Sequence, residues 1–295
     1  MPLEIAVCDA MLQRATQPGK SCFETLRAVG LSSFEAMIRP DGTLGYLQTE
    51  DGDTPFSIAD EASLQTLKSR LKKEEVKIAA LLLGTDFSGP EAEMHTAWTI
   101  NAVRAAQFLG VPVVRIDTAT RAAGLSTDIV RDHFVRCILS VLEETDDSGV
   151  DLGIENHGTI SNDPAYLDEI FARVPDRRLG MTLDTGNFYW YGFPLSELYR
   201  VLEHFAPRAR HTHVKNINYP AEIVETQREK GYEYGKYCCP LDEGNISMQR
   251  VAHILQDAGY TRTLCIENEA LGKYPIGERV GILRRDADCL RAAQT

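Results

Sequence analysis

Four side chains able to bind a metal ion each close a short apolar run. Glu155 follows Leu152-Gly-Ile, Asp184 follows Met181-Thr-Leu, His213 follows His211-Thr, and Glu267 follows Leu264-Cys-Ile. From Glu155 to Asp184 is 29 residues, and from Asp184 to His213 is another 29. That interval fits one strand, one helix and their loops. If the runs are successive parallel strands, all four side chains emerge at the same end of one sheet. Three carboxylates and an imidazole form a mixed O/N donor set suited to Mn²⁺ or Mg²⁺, with Co²⁺ and Zn²⁺ as alternatives. One or two coordination positions stay open for a substrate with adjacent hydroxyl and carbonyl oxygens. The metal then polarises the carbonyl and stabilises the enediolate left by proton removal. Glu155 and Glu267 can also serve as acid and base on opposite faces of the reacting carbon.

Singly, each residue has a plainer explanation. A Glu at a strand end is usually solvated or salt-bridged, and His213 alone reads as a core histidine. Asp184, in Leu-Asp-Thr-Gly-Asn, could simply cap a turn. Asp-Thr-Gly also occurs in aspartic proteases, but those are all-β with two copies, and this chain has one. The metal reading rests on the four residues together, at the strand ends where barrel enzymes place their chemistry.

The elements that must position them alternate eight times between short β-type runs and helical patterns. The expected strands are residues 4–8, 33–38, 77–83, 112–117, 151–155, 179–184, 210–215 and 263–267. Val, Ile and Leu dominate several of them, as in strands covered by helices. Amphipathic helices are expected at 93–109, 127–144, 195–205 and 247–258, with one more opening at Asp163-Pro164 and a last near 279–293. The pattern predicts an α/β fold: a single (β/α)₈ TIM barrel with a C-terminal helix, spanning 1–295 as one domain. An open doubly wound sheet is the runner-up, but residues 8–19 lack its glycine-rich phosphate loop. Two long connections, 39–62 and 216–244, follow strands and so lie over the catalytic face. The second carries Tyr219, Tyr232, Tyr234 and Tyr237 and reads as a substrate lid.

Hydrophobic residues at 43% and charged residues at 25% fit a soluble globular protein. No apolar run reaches the roughly 18 residues a membrane span needs, and the N-terminus shows no signal-peptide pattern, so a cytoplasmic location is expected. A net charge of −12 argues against nucleic acid as a partner. The seven cysteines include no CxxC pair and read as buried thiols, with Cys238-Cys239 a vicinal pair in a loop. No thiolate is expected at a strand end, which argues against a structural zinc site. No arginine-rich phosphate clamp is evident; Arg115 and Arg121, near the end of the fourth strand, are no more than candidates, and Arg115, within the strand, can equally face the barrel or a helix.

Gly153-Ile-Glu155-Asn, Leu183-Asp-Thr-Gly186, His211-Thr-His213-Val-Lys215, Pro240-Leu-Asp-Glu-Gly-Asn245, Gly259-Tyr260 and Cys265-Ile-Glu267, taken in order, resemble the xylose isomerase-like sugar isomerase/epimerase superfamily. That group includes ketose 3-epimerases, inosose dehydratases and endonuclease IV. The resemblance covers the chain from about residue 76 and is weaker before it. It implies that Glu155, Asp184, His213 and Glu267 are metal ligands, with Glu155 and Glu267 also the acid/base pair. It places His211 behind the ligands or in packing, and His157 and Lys215 near substrate. Asn187 stands where many members have a histidine. The endonucleases use that histidine in a multi-zinc cluster, so its replacement argues against DNA repair, and it points to a substrate unlike that of a typical ketose epimerase.

The leading expectation is therefore a divalent-metal-dependent sugar isomerase/epimerase acting on a small ketose or keto-sugar. The alternative is a lyase or dehydratase on an inosose or 3-keto sugar, in which Lys215 or His157 protonates the leaving group. A non-catalytic sugar-binding barrel ranks below both. Homo-oligomers are compatible with such a barrel, though no residue demands one.

Overall fold

A computed structural model describes residues 2–48, 54–119 and 124–295. Arg121 and the Asp51-Gly-Asp53 part of the first long connection lie outside the described residues. Among the described residues the strands are β1 (Glu4–Cys8), β2 (Ser33–Met37), β3 (Thr43–Gln48), β4 (Pro55–Ser57), β5 (Lys77–Leu82), β6 (Val113–Ile116), β7 (Asp151–Glu155), β8 (Leu179–Asp184), β9 (Ala209–His213), β10 (Asn216–Ile217), β11 (Cys238–Cys239) and β12 (Thr263–Ile266). Eight of them hydrogen-bond in the order β12-β1-β2-β5-β6-β7-β8-β9. Val214, just beyond β9, makes a parallel bridge to Ile266 of β12, which brings the two ends of that order together. Eight parallel strands with helices between them make a nearly closed TIM barrel, and the C-terminal helix, Ile276–Ala292, is present.

The β-runs form strands because both faces are covered. β6 is buried at all four positions and β8 at all six, the burial that selects Val, Ile and Leu in parallel sheets. Even the expected strand at 33–38, with little aliphatic character, forms as β2 because its neighbours bury it. Helix starts follow capping chemistry. Ser21 and Glu24 form a reciprocal capping box, Ser126 caps Thr127–Glu144, and Asp163 caps Pro164–Arg173 with proline in the first turn.

Helices Asp9–Ala15 and Cys22–Val29 lie between β1 and β2, and Glu61–Glu74 precedes β5, as the expected β/α alternation requires. Two features depart from the sequence expectation. Both long connections contain structure: β3 pairs with β4, and β10 with β11. Cys238 and Cys239 are therefore buried strand residues and not a loop pair, and burial pushes the Cys239 thiol up to about 12. β1 ends on Cys8, so a thiol does stand at a strand end.

The chain divides into two compact units, one of Met1–Phe34 with Leu183–Thr295 and one of Glu35–Thr182; the cuts fall inside β2 and β8. In the first, Leu195–Phe205 packs on Met248–Asp257, which packs on Ile276–Ala292. Leu198, Leu202 and Phe205 are fully buried there, each worth about 1.5–3 kcal/mol relative to exposure. In the second, Ala92–Leu109, Thr127–Glu144 and Pro164–Arg173 pack in sequence, and Phe87 meets Phe134 edge-on at 5.5 Å. Among the described residues, no helix is long and apolar enough to cross a membrane.

Candidate metal centre

In the first unit, Asp184 ends β8 fully buried. Its Oδ1 accepts the amides of Gly186 (2.8 Å) and Asn187 (2.7 Å). Its Oδ2 lies 3.1 Å from Lys215 Nζ. The turn-capping role and the site role are thus both real, one on each oxygen. The Asp-Thr-Gly sequence has a local reason. Thr185 Oγ1 donates to Lys215 O at 3.0 Å and accepts Lys215 N at 3.2 Å, clamping the ends of β8 and β9. A Cβ on Gly186 would collide with the Lys215 side chain, so glycine lets the lysine lie across the turn.

His213 ends β9, with Nδ1 3.5 Å from Glu267 Oε2. Glu267 directly follows β12. Lys215 Nζ is 2.6 Å from Glu267 Oε2 and 3.6 Å from Glu269 Oε2. Donor atoms of Asp184, His213 and Glu267 all lie within 4.8 Å of one another. Three of the four expected ligands and Lys215 are therefore brought together within one unit. Burial pulls the Lys215 ammonium toward neutrality, but Asp184, Glu267 and Glu269 outweigh it and hold it well above the usual lysine range. Burial pushes Asp184 up to about 6; Lys215 opposes this and Glu267 adds to it. His211 sits behind His213, its ring 5.6 Å away and its Nδ1 3.4 Å from Thr263 Oγ1. Asn187 opens the short helix Asn187–Trp190 and is buried.

The lid segment is anchored in the same unit. Tyr234 donates its hydroxyl to Glu269, beside Lys215. The Arg228 guanidinium lies over the rings of Tyr189 (4.5 Å) and Tyr219 (4.4 Å) and donates to the Ile223 carbonyl at 2.7 Å.

In the second unit, Glu155 ends β7. It stands in register with Thr182, two residues before Asp184 on the same strand. Parallel partners in register share a face, so Glu155 and Thr182 point the same way. Arg115 is buried and ion-paired with Glu155; it also donates to Asp117 Oδ2 (2.6 Å) and Leu83 O (2.9 Å). It is thus committed to carboxylates and not available as a phosphate clamp. Asp117 Oδ1 meets Nδ1 of the half-exposed His157 at 3.0 Å. Burial would raise the Asp117 carboxyl, but Arg115 and His157 hold it below the usual range.

Sequence reasoning missed Asp117, Glu269 and Tyr234 as site residues, and it did not find the carboxylate partners of Arg115. Asp117 closes an expected strand, the same signal that marked the candidate ligands, and Glu269 stands two residues after Glu267. Nothing in the sequence pairs Tyr234 with Glu269.

The donors fit a divalent cation. Metal–O and metal–N bonds of about 2.0–2.2 Å place donor atoms up to about 4.3 Å apart, and His213 Nδ1 and Glu267 Oε2, at 3.5 Å, fall inside that range. Asp184 keeps one oxygen on backbone amides while the other faces the cluster.

A family model for the xylose isomerase-like TIM barrel matches residues 23–293. An inosose dehydratase of Klebsiella pneumoniae subsp. pneumoniae is 25% identical over 130 residues, 42% of this chain and 42% of that protein. D-Psicose 3-epimerase of Clostridium cellulolyticum H10, solved with D-tagatose, superimposes with a TM-score of 0.69 at 12% identity, covering 99% of both chains. The IolI protein, solved with a zinc atom, gives 0.70 at 15% identity over 98% of this chain and 99% of that one. At these identities the two structures show the fold.

Proposed function

The chain belongs to the xylose isomerase-like TIM barrel family, and we propose that it is a divalent-metal-dependent isomerase or epimerase of a small ketose or keto-sugar. Family members are isomerases, epimerases and dehydratases, which makes an enzyme the natural reading. In this proposal the chain acts as one domain in the cytoplasm on a small molecule, with no nucleic-acid partner. Glu155, Asp184, His213 and Glu267 hold the cation, Mn²⁺ or Mg²⁺ by the oxygen-rich donor set. When bound, the cation polarises a substrate carbonyl.

The chain's own residues do the rest. Glu155 and Glu267 take and return the proton beside the carbonyl. Lys215 carries a fixed positive charge at Asp184 and Glu267 and offers its N–H groups to a substrate oxygen. His157, with Nδ1 tied to Asp117, has Nε2 left for a hydroxyl. The Asn187 side chain supplies a further hydrogen bond. The observation that carries the proposal is the cluster of Asp184, His213 and Glu267 around the Lys215 ammonium.

A second reading is a dehydratase that shares the first proton abstraction and then expels water. The buried ammonium beside Glu267 and the partial match to an inosose dehydratase favour it. Incubation with ketoses and inososes in deuterated water tests both. Exchange with retained composition supports the epimerase, exchange with loss of water supports the dehydratase, and no exchange in any substrate refutes both.

A further inference from the structure

One layer below the carboxylates of the first unit lies a cluster of different chemistry. β1 and β12 pair with Ala6 opposite Cys265, so Cys8, two residues on, shares a face with its neighbour's Cys265. Their sulfurs are 3.7 Å apart. A ring nitrogen of His213 lies within 4.8 Å of both. All three side chains are buried, and neither cysteine is in a disulfide.

The sulfur–sulfur spacing matches a tetrahedral thiolate site, and the imidazole is within reach of it. Two Zn–S bonds of about 2.3 Å at the tetrahedral angle put the sulfurs about 3.8 Å apart, and an S–Zn–N pair puts its donors about 3.6 Å apart. Two thiols binding a dication release two protons, so the occupied cluster carries no net charge and tolerates burial. The carboxylates above differ, because Asp184 and Glu267 already face the Lys215 ammonium. Thiolates select soft and borderline ions over Mg²⁺ and Mn²⁺.

We propose that Cys8, Cys265 and His213 form a second metal site, for Zn²⁺ or a softer ion, that shares His213 with the carboxylate set. An oxygen donor completes the coordination. The thiolate site itself does not depend on the proposed sugar chemistry.

X-ray absorption of the zinc-loaded wild-type chain, prepared under reductant, tests it without any activity. The expected result is two sulfur scatterers per zinc at about 2.3 Å, retained in Asp184→Asn and lost in Cys8→Ser/Cys265→Ser. A shell of nitrogen and oxygen alone overturns the proposal. So does sulfur scattering that survives the double cysteine replacement, which would assign it to other thiols such as Cys238 and Cys239. A wild-type thiol count lower by two, with Cys8 and Cys265 bridged, overturns it as well. Should the double variant not fold, Cys238→Ser/Cys239→Ser takes its place: sulfur scattering retained there supports the assignment, and its loss overturns it.

Discussion

Lys215→Met separates the two cations that can sit on Asp184 and Glu267. The ammonium lies 2.6 Å from Glu267, 3.1 Å from Asp184 and 3.6 Å from Glu269. At an effective dielectric of about 20 these contacts are worth about 6, 5 and 5 kcal/mol before desolvation. Burying the ammonium offsets much of that. Removing one partner of a buried charge cluster typically costs about 3–5 kcal/mol, because the remaining charges stay buried without compensation. Metal-free Lys215→Met should therefore melt roughly 10 °C lower, at about 2–4 °C per kcal/mol. Its carboxylates no longer face an ammonium, so Mn²⁺ should bind at least about tenfold more tightly than to wild type, a difference of about 1.4 kcal/mol. Saturating Mn²⁺ should then restore more stability to the variant than to wild type. Calorimetric melts in chelator and with metal, with titration calorimetry of Mn²⁺, provide the readouts. A variant that melts like wild type in chelator and binds Mn²⁺ no better would refute the idea that Lys215 neutralises the metal-ligand carboxylates.

Four further outcomes are expected. Glu155→Gln should lower turnover by about 10²–10⁴-fold while leaving the fold intact, since proton transfer by a positioned carboxylate contributes about that much; steady-state kinetics beside circular dichroism checks it. Arg115→Met strips the guanidinium from buried Asp117 and Glu155 and should cost about 3–5 kcal/mol in urea unfolding. Asp286, pushed up to about 6 by burial although Leu241 N and Asn268 Nδ2 hydrogen-bond to it, binds its proton more tightly folded than unfolded. It should therefore cause stability to fall as pH rises from about 4 to 6, by about 3 kcal/mol in all, and Asp286→Asn should flatten that part of the unfolding profile. Gly192 has φ +114°, and a Cβ there would collide with the Arg228 carbonyl; Gly192→Ala should cost about 1–3 kcal/mol and speed proteolysis within 216–244.

The ends of β7, β8, β9 and β12 were legible because a polar side chain closing an apolar run is rare in a buried parallel strand. The strand at 33–38 was the weakest signal of the eight, and burial by its neighbours completes it. Connections were less legible. β3–β4 and β10–β11 are too short to leave a periodic signal, and Cys238-Cys239 reads as a loop until Asn216 and Ile217 pair with it. Neighbour relations across strands were not legible at all. Arg115 reads as a free cation until Glu155 and Asp117 are found against it. The resemblance placed Lys215 near substrate, but only the structure shows its ammonium between Asp184 and Glu267. Cys8 and Cys265 are 257 residues apart in sequence, and only the pairing of β1 with β12 brings their sulfurs together.

The central claim is that one divalent cation, held by Glu155, Asp184, His213 and Glu267, supports proton transfer on a keto-sugar. Solvent-deuterium exchange into a keto-sugar panel, measured on stripped and remetallated wild type beside Glu155→Gln and Asp184→Asn, tests it most directly. The account predicts one metal per chain, exchange that disappears on stripping and returns with Mn²⁺ or Mg²⁺, and loss of exchange in both variants. Exchange that persists without metal, or in both variants, would contradict it.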